Sequence, residues 1–192
     1  MRYVLLLLVL SSCKSDLQRL LGIHEWKIYH IKEGNHESEG LHIATLTTDH
    51  LDFKARFDET CIYDLQSKDQ NDINKLYGFS DCNCDHETNS ARFGWRWVAS
   101  MNKIEILAYI HKAGQIVSPN DKVISMGYAE LGQEGSYSIY IVGDSYNFNY
   151  NGNLKVLKYR GCSEQRAVHY MLYPYFGGNR TAPHQINVSI KE

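Results

Sequence analysis

The sequence has almost no excess charge of either sign. It holds 20 lysines and arginines against 22 aspartates and glutamates, which leaves a formal net charge of −2 at pH 7. Proteins that bind nucleic acids generally carry a surplus of lysine and arginine, which neutralises the backbone phosphates. The balance therefore argues against a nucleic-acid partner.

The chain is also poor in the features that mark linkers, membrane spans and helices. Its 3 prolines and 14 glycines are too few for a long disordered linker of the usual kinds. The apolar run Tyr3–Leu10 is far shorter than the roughly 20 residues that cross a bilayer as a helix. No stretch keeps a helical period, which argues against a doubly wound fold with interleaved helices.

Two catalytic signatures are missing from the sequence. No two histidines are separated by three residues, the spacing that a helix of a zinc hydrolase uses. Carboxylates in the order Glu-x-Asp-x-x-Glu, as in retaining glucanases, do not occur either. These absences argue against a zinc hydrolase and against retaining glycosidase chemistry.

The start of the chain has the pattern of an export signal. Arg2 precedes the apolar run, and Ser11 and Ser12 lead to Cys13. A basic start, a short apolar stretch and small residues before a cleavage point describe a secretory signal peptide. The ending Leu-Ser-Ser-Cys resembles the lipobox of bacterial lipoproteins, although a chance cysteine after an ordinary signal peptide is the alternative.

The lipobox resemblance implies that residues 1–12 are removed and that Cys13 carries a diacylglycerol. The lipid would anchor the protein without a spanning segment, because each buried methylene contributes about 0.8 kcal/mol. Lys14 and Asp16 are similar to the surface-export signal of Bacteroidetes lipoproteins. We therefore expect a tether at residues 13–23 and one domain at residues 24–192. We also expect a monomer that is anchored to the cell envelope at the outer membrane, and the sequence does not choose between the inner and the outer face of that membrane.

Four further cysteines follow, and their state is open. Cys61, Cys82, Cys84 and Cys162 allow three pairings, among which the sequence does not choose. A bridge between Cys82 and Cys84 would be strained at that spacing, and free buried thiols are the alternative. The cysteine spacing does not fit a zinc site, so we predict no metal and no cofactor, with calcium in the acidic loop Asp81–Glu87 as the alternative.

Alternation of apolar and polar residues dominates the rest of the chain, as in His50–Phe57. Asn151 and Gly152 form a typical hairpin turn between two such runs. Many short strands with frequent turns predict an all-β domain, an antiparallel sandwich of two sheets or a barrel. A long connection is predicted to run from Asp69 to Asn89, with one helical turn within Asp69–Tyr77. The predicted strands are Glu25–Ile31, Leu41–Thr47, His50–Phe57, Cys61–Leu65, Ala91–Ser100, Lys103–His111, Gln115–Val117, Lys122–Met126, Ser136–Val142, Tyr146–Tyr150, Leu154–Tyr159, Ala167–Tyr175 and Gln185–Ile190.

Several of these strands carry polar residues opposite the predicted core. Such residues would form one ligand-binding surface if the strands were neighbours. The candidate ligand-binding residues are Arg92, Arg96, Tyr109, His111, His169 and Tyr173. The alternative is the ordinary solvent face of an antiparallel sheet, where polar cross-strand pairs are common.

This set of side chains fits one reaction, the β-elimination of a uronate polysaccharide. The reaction needs a cation for the carboxylate, a base and a proton donor for the leaving oxygen. Arg92 or Arg96 fits the first role and His111 or His169 the second. Tyr109 or Tyr173 fits the third.

Three stretches, residues 90–96, 104–109 and 173–190, together resemble the concanavalin A-like jelly roll of glycan lyases, glucanases and lectins. The resemblance implies an antiparallel two-sheet jelly-roll-like sandwich. The alginate-lyase motifs Arg-x-Glu-x-Arg, Gln-Ile-His and Tyr-Phe-Lys-x-Gly are not present as such, since Phe176-Gly177-Gly178 lacks the lysine. The expected function is therefore binding of a glycan or another cell-surface ligand, with two alternatives, a polysaccharide lyase and a structural envelope lipoprotein that binds a protein partner.

Overall fold

The structure is a computed structural model that describes residues 25–46, 48–162 and 169–192. The predicted signal peptide, Cys13 and the tether lie outside the described residues. Within the described residues, no helix is long and apolar enough to cross a membrane.

The described residues form thirteen strands and four short 3-10 helices. The strands are β1 (Lys27–Ile31), β2 (Thr45–Leu46), β3 (His50–Phe57), β4 (Asn74–Ser80), β5 (Ser90–Val98), β6 (Lys103–Lys112), β7 (Gln115–Ile116), β8 (Ile124–Ala129), β9 (Gly135–Val142), β10 (Ser145–Tyr150), β11 (Asn153–Leu157), β12 (His169–Leu172) and β13 (Ile186–Lys191). The 3-10 helices are Glu59–Cys61, Lys68–Asn71, Ala99–Met101 and Pro119–Asp121.

Two antiparallel sheets contain these strands. The six-stranded sheet has the order β1-β13-β3-β9-β10-β11. The seven-stranded sheet has the order β2-β12-β4-β5-β6-β7, and β8 pairs with β6 beside β7. Strands that are distant in sequence are neighbours in both sheets, as β13 and β3 are. The fold is the predicted all-β, antiparallel jelly-roll-like sandwich.

Aromatic rings fill the space between the sheets. Phe53 and Tyr137 stack with ring centroids 4.9 Å apart, and the edge of Phe93 meets Tyr137 at 5.0 Å. Each of these side chains is at most 4% exposed. Burying an aromatic or large aliphatic side chain contributes about 1.5–3 kcal/mol, so this layer holds the sheets together. Several of the chain's 14 tyrosines therefore belong to the core.

The sequence pattern misses β4, which lies where we predicted a connection with a helical turn. Every residue of β4 is buried, so the strand does not alternate between apolar and polar positions. A strand covered on both faces loses the period of two by which a half-exposed strand is found. The predicted strand at Cys61–Leu65 is absent, because Glu59–Cys61 forms a 3-10 turn capped by Asp58.

A disulfide joins Cys82 to Cys162, whose Cα atoms are 5.8 Å apart. Cys61 and Cys84 are free thiols. The bridge closes a separation of 80 residues and ties the loop after β4 to the segment after β11. Local spacing does not predict a pairing across that separation.

A buried polar cluster lies beside the disulfide. Asp81 accepts hydrogen bonds from Arg160 at 2.7 and 3.1 Å and from the Tyr146 hydroxyl at 2.6 Å. His169 Nδ1 lies 3.4 Å from the same carboxylate and donates to the Ser80 carbonyl at 3.0 Å. We call Asp81, Tyr146, Arg160 and His169 the Asp81 network, and it holds the start of the loop 81–89.

Candidate functional site

The outer face of the seven-stranded sheet carries a group of cationic and aromatic side chains. In β5, Phe93 and Trp95 point into the core, so period two turns Arg92 outward. Arg92 pairs in register with Tyr109 of β6, and Ser90 pairs with His111. Three of the residues predicted from the sequence therefore lie together on one face.

Among the described residues, Arg92 is a buried cation without a counter-ion. Its side chain is folded against the Tyr109 ring, with Cζ 5.1 Å from the ring centroid, and the residue is only 7% exposed. Its Nε has no hydrogen-bond partner, and no carboxylate among the described residues forms an ion pair with it. Burial lowers the pKa of Arg92. An unpaired buried charge is unfavourable, which makes this position receptive to an anion.

Lys75 of β4 adds a second cation beside Arg92. Its Nζ lies 5.2 Å from the centroid of Tyr109 and 5.4 Å from that of Tyr175, and it donates to the Gly177 carbonyl at 2.6 Å. Burial, assisted by the charge of Arg92, lowers the pKa of Lys75 to about 8. Lys75 is therefore still mostly protonated at neutral pH.

His111 is held as a neutral imidazole. Its Nδ1 donates to the Glu87 carbonyl at 2.7 Å, and the Tyr109 hydroxyl donates to its Nε2 at 3.2 Å. Burial and the charge of Arg92 lower the pKa of His111, so the ring is uncharged at pH 7. A neutral imidazole is competent as a base. We call Lys75, Arg92, Tyr109, His111 and Tyr175 the Arg92 site.

The loop after β4 and strand β12 border the Arg92 site. The backbone amide of His86 donates to the Tyr170 hydroxyl at 2.6 Å, which brings the loop to the sheet face. Burial and then the charge of Arg92 lower the pKa of His86. The imidazole of His86 and the partly exposed ring of Tyr170 therefore lie at the border of the Arg92 site.

The structure separates the other sequence candidates from this site. Arg96 lies on the same outer face, but its Nε and Nη2 bind Glu105 at 2.8 and 2.7 Å. His169 points inward to the Asp81 network and is 1% exposed. Tyr173 packs against the rings of Tyr29 and Tyr77 between the sheets, at 5.9 and 5.5 Å. The polar face that we predicted for β12 is its interior face.

Two residues of the Arg92 site were not among the sequence candidates. Lys75 was missed because β4 was missed. Tyr175 follows β12 and forms isolated bridges with Lys75 and Glu37, which place it beside β4. The sequence marked this segment as the end of the predicted strand Ala167–Tyr175 and as part of the jelly-roll resemblance, but neither signal pointed to Tyr175 as a site residue.

Two carboxylates of the acidic loop 81–89, those of Asp81 and Asp85, accept hydrogen bonds from protein donors. Burial acts to raise the pKa of Asp81, but hydrogen bonds from Arg160, Tyr146 and the Cys82 amide outweigh it and hold the pKa below its usual value. Asp85 accepts from the amides of Glu87 and Thr88 at 2.8 and 3.0 Å.

One group of potential metal ligands lies close together in the described part of the chain. It consists of Asp81, Cys82 and Cys162. Its two sulfurs form the disulfide and therefore offer no thiolate.

Comparisons with known families and with curated proteins find no match. Solved structures do match. Alginate lyase AlyC3 aligns with a TM-score of 0.59 and 10% identity over 88% of this chain and 74% of that one. Its complex with dimannuronate aligns with a TM-score of 0.52 and 11% identity over 88% and 73%. An alginate lyase from Pseudomonas aeruginosa aligns with a TM-score of 0.50 and 11% identity over 75% of this chain and 62% of that one.

The chain therefore spans less than two thirds of the length of the Pseudomonas enzyme. These similarities show the fold alone, a jelly-roll β-sandwich that the chain shares with these alginate lyases.

Proposed function

We propose that the protein binds an acidic, uronate-containing polysaccharide at the Arg92 site. The observation that carries the proposal is the buried, unpaired guanidinium of Arg92. A uronate carboxylate supplies the missing counter-charge and fits the planar guanidinium in a bidentate manner. The likeness to carbohydrate-active jelly rolls, one of them in complex with dimannuronate, supports a glycan over other anions.

The neighbouring side chains suit a sugar acid in particular. Lys75 offers a second positive charge, and the rings of Tyr109 and Tyr175 both lie close to its ammonium group, with centroids 5.2 and 5.4 Å from Nζ. Tyrosine presents an apolar face to sugar C–H groups and a hydroxyl to sugar oxygens. A small inorganic anion would use the charges but not the rings.

Binding is tested by titrating polyuronates of different composition into the protein and into Arg92→Met. We expect binding of at least one polyuronate by the unchanged protein, weakened in the variant. Arg56→Met is the matched control, because Arg56 is exposed on the six-stranded sheet and pairs with Glu134. If no polyuronate binds, the proposal fails and the expectation of a protein partner gains support.

Cleavage of the bound chain by β-elimination is the second candidate function, and the neutral His111 favours it. In this reaction a base removes the proton beside the carboxylate and the C–O bond to the leaving sugar breaks. A C=C bond forms, and an acid protonates the departing oxygen. His111 fits the base, acting through the Tyr109 hydroxyl that donates to its Nε2: Tyr109 passes its proton to His111 as it takes the substrate proton. Arg92 with Lys75 fits the group that stabilises the carboxylate. Tyr175 fits the acid, since burial raises its pKa and keeps it protonated.

Elimination is tested by the ultraviolet absorbance of the unsaturated product. We expect His111→Gln to lower the rate by about 10²–10⁴-fold, the usual contribution of a general base. Tyr175→Phe should lower the rate as well. Tyr173→Phe is the control and should not lower it, because Tyr173 is near Tyr175 in sequence but packs between the sheets against Tyr29 and Tyr77. Binding without any rise in absorbance would rule out elimination and leave the binding proposal intact.

We further propose that the protein is exported and anchored in the envelope through a lipid on Cys13. The lipobox-like sequence supports this location. Metabolic labelling with a fatty-acid analogue tests it, with Cys13→Ser expected to lose both the label and the association with membranes. A labelled Cys13→Ser variant would contradict the assignment.

A further inference from the structure

A groove opens on the same outer face of the seven-stranded sheet, on the side of Arg96 away from the Arg92 site. It has a volume of about 700 Å³ and is lined by Tyr63, Arg96, Trp97, Glu105 and Tyr128 among others. This volume lies within the range of about 300–1,000 Å³ that is typical of small-molecule sites. The groove is therefore large enough to hold a small molecule.

Ile73 separates this groove from the Arg92 site. Gly94 is the outward residue of β5 between Arg92 and Arg96, and a Cβ placed on it would collide with the Ile73 side chain. Ile73 therefore covers the sheet face between the two arginines. Their Cα atoms are about 13 Å apart, at roughly 3.3 Å per strand residue.

The ion pair between Arg96 and Glu105 lines the groove. Arg96, Glu105 and Tyr128 lie side by side in the register of β5, β6 and β8. Both contacts from Arg96 to Glu105 reach Oε2, and Arg96 Nη1 donates to the Asn71 carbonyl at 3.1 Å. Within the described ranges no donor reaches Glu105 Oε1. The pair thus keeps one free acceptor beside guanidinium N–H donors, with its charges already balanced.

Tyr128 supplies an apolar wall next to this pair. The residue is 43% exposed, although it lies directly across from the buried Glu105. A half-exposed tyrosine beside a buried donor and acceptor presents a flat ring to the C–H face of a sugar. In the described part of the chain, the two cations of the Arg92 site form no ion pair, whereas this groove offers an aromatic ring, an acceptor and a donor without net charge.

We propose that this groove is a second sugar-binding site, which takes an uncharged sugar residue through two adjacent hydroxyls. One hydroxyl donates to Glu105 Oε1 and its neighbour accepts from Arg96, while Tyr128 lies against the ring. A uronate is disfavoured, because its carboxylate would face Glu105 without a free cation to balance it. The proposal does not rest on the function of the Arg92 site.

The test is calorimetric titration of the full chain with neutral tetrasaccharides of glucose, mannose, xylose and galactose. We expect at least one to bind and to change the fluorescence of Trp97, which lines the groove. Tyr128→Ala, a change at a half-exposed position, should weaken that binding at least tenfold with an unchanged circular dichroism spectrum. Glu105→Gln should also weaken it, since the carboxylate is the stronger acceptor.

Arg92→Met is the control that separates the two sites. It should leave neutral-sugar binding unchanged, even if it abolishes binding of polyuronates. The absence of any neutral ligand in the panel would overturn the proposal. So would binding that Tyr128→Ala leaves intact, or binding that Arg92→Met removes.

Discussion

Two arginines of this protein are almost equally buried, and their surroundings are opposite. Arg160 is 4% exposed and Arg92 is 7% exposed. Arg160 binds both oxygens of Asp81, and the hydroxyl of Tyr146 completes the cluster. Arg92 lies against the face of Tyr109, and its Nε has no hydrogen-bond partner among the described residues.

The difference separates a structural charge from a charge that is available to a ligand. Removing one partner of a buried pair leaves the other charge uncompensated, so the Asp81 network stabilises the fold only while it is complete. Within the described ranges Arg92 has no ionic partner that its loss would leave uncompensated, and its burial is a cost that the fold tolerates. We therefore expect substitutions of the two arginines to change different properties.

Arg160→Met should have the largest effect, a loss of about 3–5 kcal/mol in the free energy of unfolding, because it leaves Asp81 buried without a cation. Urea denaturation measures the loss. Arg92→Met should leave the same free energy within about 1 kcal/mol or raise it, since it removes an unpaired buried charge. Equal losses in both variants would contradict the distinction between the two arginines.

Removal of the disulfide beside the Asp81 network should rank next. Replacing Cys82 and Cys162 by serine should cost about 2–4 kcal/mol of stability, since the bridge restricts a long loop in the unfolded chain. The midpoint of thermal unfolding reports this change. Cys84→Ser is the matched control, because Cys84 is free and partly exposed. A double variant as stable as the control would show that the bridge contributes little.

Arg92→Met should weaken polyuronate binding by at least about 30-fold, or roughly 2 kcal/mol, the lower range for loss of a buried charge pair in a complex. Isothermal titration at constant ionic strength measures the affinity. Lys75→Met should have a smaller effect, because an ammonium group is a point charge and not a bidentate donor. Affinity that survives Arg92→Met would place the anion elsewhere.

The pH dependence of polyuronate binding should follow the titration of Lys75. Its pKa is lowered to about 8, so the ammonium that attracts a carboxylate is present below pH 8 and is lost as the pH rises above it. Polyuronate affinity should fall with increasing pH through that range, by at most about tenfold per unit. Lys75→Met should remove this dependence, and a dependence that remains in Lys75→Met would assign it to another group.

Local pattern in the sequence predicts the strands in which apolar and polar residues alternate. β3 has the predicted bounds His50–Phe57, and β6 differs from prediction by one residue at its end. β3 alternates between exposed and buried positions. β6 is buried along most of its length, but its polar Glu105 and Tyr109 share one face, so the period of two is visible in its sequence. β4 is the counterexample, because its buried residues do not alternate between apolar and polar types, and Lys75 was missed together with the strand.

Histidine shows the same limit on the prediction of the site. His111 and His169 look alike in the sequence as polar residues in predicted strands. Only the structure shows that His111 faces outward to Tyr109, whereas His169 faces inward to Asp81. A buried polar partner that is distant in sequence reverses the direction that polarity alone suggests.

The sequence by itself determined the alternation of faces along β5 and β6, and with it the outward direction of Arg92, Arg96 and Tyr109. That alternation is a property of the extended backbone and needs no partner strand. The tertiary structure decided which strands are neighbours, which cysteines pair, and which buried arginine has a counter-ion. These properties depend on contacts between residues that are far apart in the chain, such as Asp81 with Arg160 and Lys75 with Tyr175, and no local pattern encodes them.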